Sequence, residues 1–227
     1  FIVGDVKEED LKPLLAKYIA SIPTNTVEEN WEDNTVEWVD NDIDKDIYME
    51  MEDPKSTVNV VIKNKMEYSL KNYWLAKTLG DILQLRYTET LREEEGGTYG
   101  ARTFANISKR PFGEATVQVN FDCNPDKVEG LIAIVHKELE KIKVGNIQQT
   151  DLDKTLTNYL KEREEAKNYS SYEMSLLKNY FREGYDMNQQ DNFENIIKGI
   201  KADDLQQFTK NLFTNAASYE IVFKPKK

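Results

Sequence analysis

Hydrophobic positions along this chain follow two rhythms, one near two residues and one near 3.6. FIVG, residues 1–4, reads as a short strand. From Glu8 to Ala20, Leu11, Leu14, Leu15, Tyr18 and Ile19 fall three and four apart, which predicts one face of a helix. Asp5 is its candidate cap and Ser21-Ile22-Pro23 its stop. Residues 23–46 are polar, acidic and without period, and read as a linker or long surface connection anchored by Trp31 and Trp38. IYMEM (Ile47–Met51) and TVNVVI (Thr57–Ile62) read as strands with Asp53-Pro54-Lys55-Ser56 as the turn between them.

A long helix is predicted from Ser69 to about Glu95, with Gly80 inside it, and a glycine in mid-helix is tolerated at about 1 kcal/mol relative to alanine, often for close packing. Strands at Thr98–Ser108 and Glu114–Asp122, joined by Arg110-Pro111-Phe112-Gly113, predict a hairpin. The second, EATVQVNFD, sets Ala115, Val117, Val119 and Phe121 against Thr116, Gln118, Asn120 and Asp122, so one of its faces is wet. Helical stripes follow at 128–142, 151–168, 170–185, 193–200 and 203–213, the last with Asp203 as candidate cap, and YEIVF (Tyr219–Phe223) closes the chain as a strand. The class is α+β: paired strands around a long helix, then a helical block.

Composition narrows the function. Apolar residues make up 39% of the 227, enough to bury a core without disulfides. Asp and Glu number 41 against 30 Lys and Arg, a net charge of −11, and such a field repels phosphate backbones and argues against nucleic acid as a partner. No run of about 18 apolar residues exists to span a membrane. The single cysteine, Cys123, ends an alternating run and reads as a half-buried structural thiol. With neither an initiator methionine nor a signal peptide at FIVGDV, the chain is expected to be a fragment of something longer.

Most catalytic chemistries fail on residue type. A zinc site takes about three protein ligands, and the one histidine, His136, sits on the flank of its helix stripe with no evident task. No G-x-S-x-G, P-loop or dinucleotide fingerprint occurs. Tyr169, Tyr172, Tyr180, Phe181 and Tyr185 at helical spacing read as core packing rather than a ligand box. What remains is LREEEGGTYG, residues 91–100. Arg92 falls in the last turns of the long helix, Gly96 and Gly97 let the chain reverse, and Tyr99 starts the next strand. A guanidinium fork beside a phenol suits a carbonyl or carboxylate oxygen, above all one gaining charge. A salt-bridged Arg and a packed Tyr at a helix end remain the plainer alternative.

The order of these features resembles the C-terminal-type domain of the M16 zinc metallopeptidases (pitrilysin/insulinase and processing-peptidase-like). The residues that carry the resemblance are FIVGDV with EEDLKPLLAKYIASIP, the long helix ending in LREEEGGTYG, then KRPFGEATVQVNFDCNP, VEGLIAIVHKELEKI and LDKTLTNYLKEREE. Within the family it is most similar to the large bacterial zinc proteases of the PqqL type. The resemblance implies a LuxS/MPP-like metallohydrolase fold, an antiparallel-rich sheet packed against a layer of helices. It implies that residues 1–46 are the end of a preceding strand–helix unit plus linker, packing on the same domain, and that 47–227 form the C-terminal-type domain. Arg92 and Tyr99 would bind the substrate backbone and support the oxyanion of the tetrahedral intermediate. Zinc and the general base would come from an H-x-x-E-H motif that this chain lacks. The expectation is therefore the half of an endopeptidase that binds no cofactor itself and is inactive alone. Its partners would be a peptide or protein substrate and a zinc-bearing M16 half, in a periplasmic or cell-envelope setting. A non-catalytic scaffold or assembly subunit on the same fold is the alternative, and a generic peptide-binding module with an exposed strand edge is a third.

Overall fold

The computed structural model describes residues 1–24, 32–52, 54–93 and 100–226, and for residues 92 and 93 the backbone alone. Among them, five strands form one sheet: β1 (Ile43–Met49), β2 (Ser56–Lys65), β3 (Ala101–Ser108), β4 (Glu114–Cys123) and β5 (Ala217–Pro225), in the order β1-β5-β2-β4-β3. β2–β4, β2–β5 and β3–β4 are antiparallel, and only β1–β5 is parallel, so the sheet is antiparallel-rich. The alternation predicted for β4 is realised, with Ala115, Val117, Val119, Phe121 and Cys123 buried together with Val58, Val60 and Ile62 of β2.

That face is covered by helices. α2 (Leu70–Glu93) contributes Leu75, Leu79, Ile82 and Leu83, α3 (Val128–Lys143) contributes Leu131, Val135 and Leu139, and α7 (Ala202–Phe213) contributes Leu205, Phe208 and Leu212. α4 (Gln149–Ala166) and α6 (Glu194–Gly199) pack outside them against α2. The register puts Thr57, Asn59, Arg102, Gln118, Asn120 and Asp122 together on the opposite, wet face.

α2 lies directly on β3. A methyl group at Gly80 would stand 2.8 Å from the Ala105 backbone nitrogen, so glycine is what permits the approach. One turn on, Gln84 donates from Nε2 to the Ala101 carbonyl (2.8 Å) and accepts the Thr103 N–H at Oε1 (2.8 Å). β3 pairs only with β4, so Gln84 fills backbone groups that an edge strand would otherwise leave open.

Several expectations are corrected. FIVG forms no strand. β1 and β2 are not a hairpin, because β5 returns from the far end of the chain and inserts between them, pairing Val222 with Val58 on one side and Asp46 on the other. Neither Asp5 nor Asp203 caps a helix: Lys7 holds the N-cap of α1 (Glu8–Tyr18), and Asp204 supplies the cap of α7 by accepting the Lys201 N–H at 3.0 Å. The 170–185 stretch is α5 (Ser170–Lys178) followed by a π turn, and it buries no residue; Tyr169, Tyr180 and Phe181 are exposed. Helical spacing identifies a face but cannot supply the layer that covers it. The same holds for α1, which forms as predicted yet has no buried residue. Trp38 does anchor its segment, with the Lys63 ammonium 5.4 Å from its ring, whereas Trp31 lies outside the described residues.

Candidate functional site

The end of α2 is held by two neighbours on α3. Tyr87, fully buried, donates its hydroxyl to the Val135 carbonyl at 3.0 Å. Arg86, 8% exposed, donates from Nη2 to the Asn146 carbonyl at 2.6 Å and faces Glu138 at 3.7 Å, while Lys141 bonds Glu138 at 2.6 Å. Leu91 is completely buried, so the last turn of α2, which contains Arg92, is fixed in the core. The structure thus places Arg92 where the sequence predicts it, at the helix end; its side chain and Tyr99 lie outside the described residues.

The chain is described again at Gly100, whose φ of 145° lies in the region that favours glycine. Gly100 lines a groove of about 550 Å³ on the wet face, at the start of β3. Its walls include Lys55, Thr57, Arg102, Asn120 and Asp122. The Thr57 hydroxyl donates to Asp122 Oδ1 at 2.7 Å, and Asn120 donates to Asn59 across the β2–β4 pair. Arg102 is exposed and stands opposite Asn120 in register. These residues were not singled out individually in the sequence, although the wet row of EATVQVNFD already contained Asn120 and Asp122. The groove is lined by a guanidinium, an ammonium, a carboxylate and a set of amide and hydroxyl groups, the equipment for binding a peptide backbone and a charged group rather than for covalent chemistry.

Cys123 borders the groove but is 3% exposed, and burial with help from Asp122 and Asp126 pushes its thiol up to about 11, so it is a structural thiol, not a nucleophile. His136 has the partner that the sequence did not reveal: its Nε2 lies 2.6 Å from Glu220 Oε1, joining α3 to β5. Among the described residues no group of three His, Cys, Asp or Glu side chains is placed to hold a metal, and the pair His136–Glu220 alone does not fit zinc.

A family model described as the peptidase M16 inactive domain matches residues 1–159. The chain belongs to this family. The M16 domain is 25% identical over 157 residues to the probable zinc protease PqqL of Haemophilus influenzae, which covers 69% of this chain and 16% of that protein. It superposes on a protease from Helicobacter pylori with a TM-score of 0.75 at 20% identity, over 98% of this chain and 54% of the other. On the periplasmic protease PqqL from Escherichia coli the TM-score is 0.73 at 15% identity, over 98% of this chain and 25% of the other. The two structural likenesses carry the fold. The chain spans about a sixth of the curated relative and between a quarter and about half of these solved chains. Among the described residues no helix is long and apolar enough to cross a membrane.

Proposed function

We propose that this M16 domain is the half of a zinc-dependent endopeptidase that carries no metal, and that it holds peptide substrate and supports the transition state from Arg92 and Tyr99. The observation that carries the reading is the junction of α2 and β3. Arg92 sits in a helix turn locked by Leu91, and at Gly100, the residue after Tyr99, the chain enters a polar groove. In this reading the Arg92 fork takes a backbone carbonyl and the Tyr99 hydroxyl donates to the oxygen on which charge develops. Zinc and the general base reside on the other half, joined in the same polypeptide or as a partner subunit. Residues 1–46 are then the end of a preceding unit plus linker, packing on the same domain. A periplasmic setting fits the PqqL relative from Escherichia coli.

One donor to an oxyanion is worth about 2.7–4 kcal/mol of barrier. In the complete enzyme Tyr99→Phe is expected to lower kcat by about 10²–10³ with little change in KM, and an unchanged kcat sinks the role given to Tyr99. Arg92→Ala is expected to worsen both parameters, because positioning is lost together with stabilisation. The isolated chain is expected to show no metal-dependent proteolysis. A second reading, a scaffold or assembly subunit on the same fold, is favoured by the exposed aromatic cluster in which Phe1 lies 5.5 Å from Phe181. Full kinetic competence of the double variant Arg92→Ala/Tyr99→Phe in the complete enzyme would decide for it.

A further inference from the structure

The geometry points to Arg102 as a specificity-determining residue: its guanidinium takes a carboxylate of the bound peptide, from an acidic side chain or from the chain terminus. The inference rests on the peptide-holding reading and deepens it by naming a substrate class.

Arg102 is the second residue of β3 and lies three positions after Tyr99. It is exposed on the wet face and lines the groove. Other arginines of the chain are engaged. Arg86 bonds the Asn146 carbonyl beside Glu138, Arg110 bonds Glu183 at 2.9 Å, and Arg163 bonds the Met187 carbonyl over the Phe193 ring. Arg182 is exposed but does not line this groove. Arg102 makes no hydrogen bond or ion pair among the described residues, although it sits in a groove with a carboxylate. Asp122 is two residues along β4 from its cross-strand partner Asn120, a diagonal of roughly 7–8 Å that a long side chain can reach. Asp122 instead accepts the Thr57 hydroxyl. A planar fork left open in a polar groove matches a carboxylate best, because two parallel charge-assisted bonds are about twice as strong as bonds to a neutral carbonyl.

The charge of the whole chain, −11, opposes acidic ligands at long range. At physiological salt that field is screened beyond about 8 Å, so contact with the local cation decides. An acidic protein that is to accept carboxylate-bearing peptides needs such a cation within the groove, and Arg102 is placed for it.

The test is binding of labelled peptides to the chain by fluorescence anisotropy. One peptide has an internal Glu and an amidated end, a second has Gln there and a free carboxyl end, and a third has Gln and an amidated end. The expected result is that one or both carboxylate peptides bind roughly threefold to tenfold more tightly than the neutral one, the difference shrinking at high salt. Arg102→Gln is expected to abolish the difference, the carboxylate peptides falling to the affinity that the neutral peptide has for the same variant. Lys137→Gln, which removes the same charge from an exposed site on α3, is expected to preserve it. Which carboxylate peptide gains identifies the source of the group. Binding of all three alike, or discrimination that survives Arg102→Gln, overturns this inference and leaves peptide holding intact. Failure of every peptide to bind overturns both.

Discussion

Gly80 marks a close approach in the packing that positions the candidate site. Its missing side chain lets α2 approach β3 until an added Cβ would stand 2.8 Å from the Ala105 nitrogen and 3.2 Å from the Ala105 Cβ. Two effects oppose each other in Gly80→Ala. Alanine gains up to about 1 kcal/mol of helix propensity, and overpacking costs about 1–3 kcal/mol. The clash is with backbone rather than with a flexible side-chain end, so the cost is expected to win. A loss of roughly 1–2 kcal/mol corresponds to a fall of several degrees in Tm for a chain of this size, measurable by calorimetry, and a raised Tm would refute the close-approach account. This residue was legible in sequence as a packing glycine, and Arg92 as a residue of a helix end. Arg102 and the His136–Glu220 pair were not, because what matters about each is a neighbour far away in sequence.

At the scale of elements, the edge of β3 shows how the fold protects an open strand. Gln84 reaches from α2 to close the Ala101 carbonyl and the Thr103 N–H. Gln84→Ala is expected to leave the sheet in place, since water can replace bonds at an edge, at a stability cost of about 1 kcal/mol. Its signature is local: the Thr103 amide should lose protection in hydrogen exchange while amides at Val117 and Val119 in β4 keep theirs, and unchanged protection at Thr103 would remove the capping role. The edge capping also weighs against the third reading of the sequence, in which an exposed strand edge captures peptide at this position. The β3–β4 hairpin was legible because its signals are local, alternation on both sides of a Pro-Gly turn. The place of β5 was not. YEIVF announces a strand, but nothing local tells it to lie between β1 and β2, parallel to one and antiparallel to the other. The exposed stripes of α1 and α5 failed in the opposite sense, since a correct period implied a partner that the described chain does not provide.

For the whole molecule, the buried phenols set a limit on stability at high pH. Tyr87 is 0% exposed and Tyr159 4% exposed, and burial above all, with the neighbouring carboxylates Glu138 and Asp81 adding to it, raises both well above the ordinary value of 10.0. Tyr185, near Tyr68 and Glu183, is pushed by burial up to about 12. A phenol whose folded pKa is raised favours the folded state fully below the unfolded pKa, because both states are then neutral. Above 10 the unfolded chain sheds protons that the folded chain keeps, so stability falls as pH rises toward the folded values. Each fully buried phenol removes roughly 1.4 kcal/mol per pH unit in that window, so Tyr87 and Tyr159 together account for roughly 3 kcal/mol by about pH 11. Urea unfolding measured below pH 10 and again near pH 11 is expected to show that fall. Tyr87→Phe costs about 1 kcal/mol at neutral pH through the lost bond to Val135, yet should flatten the alkaline slope, because one of the titrating phenols is gone. A slope unchanged by Tyr87→Phe would mean that the alkaline loss arises elsewhere, and that the contact holding α2 against α3 does not depend on a neutral phenol.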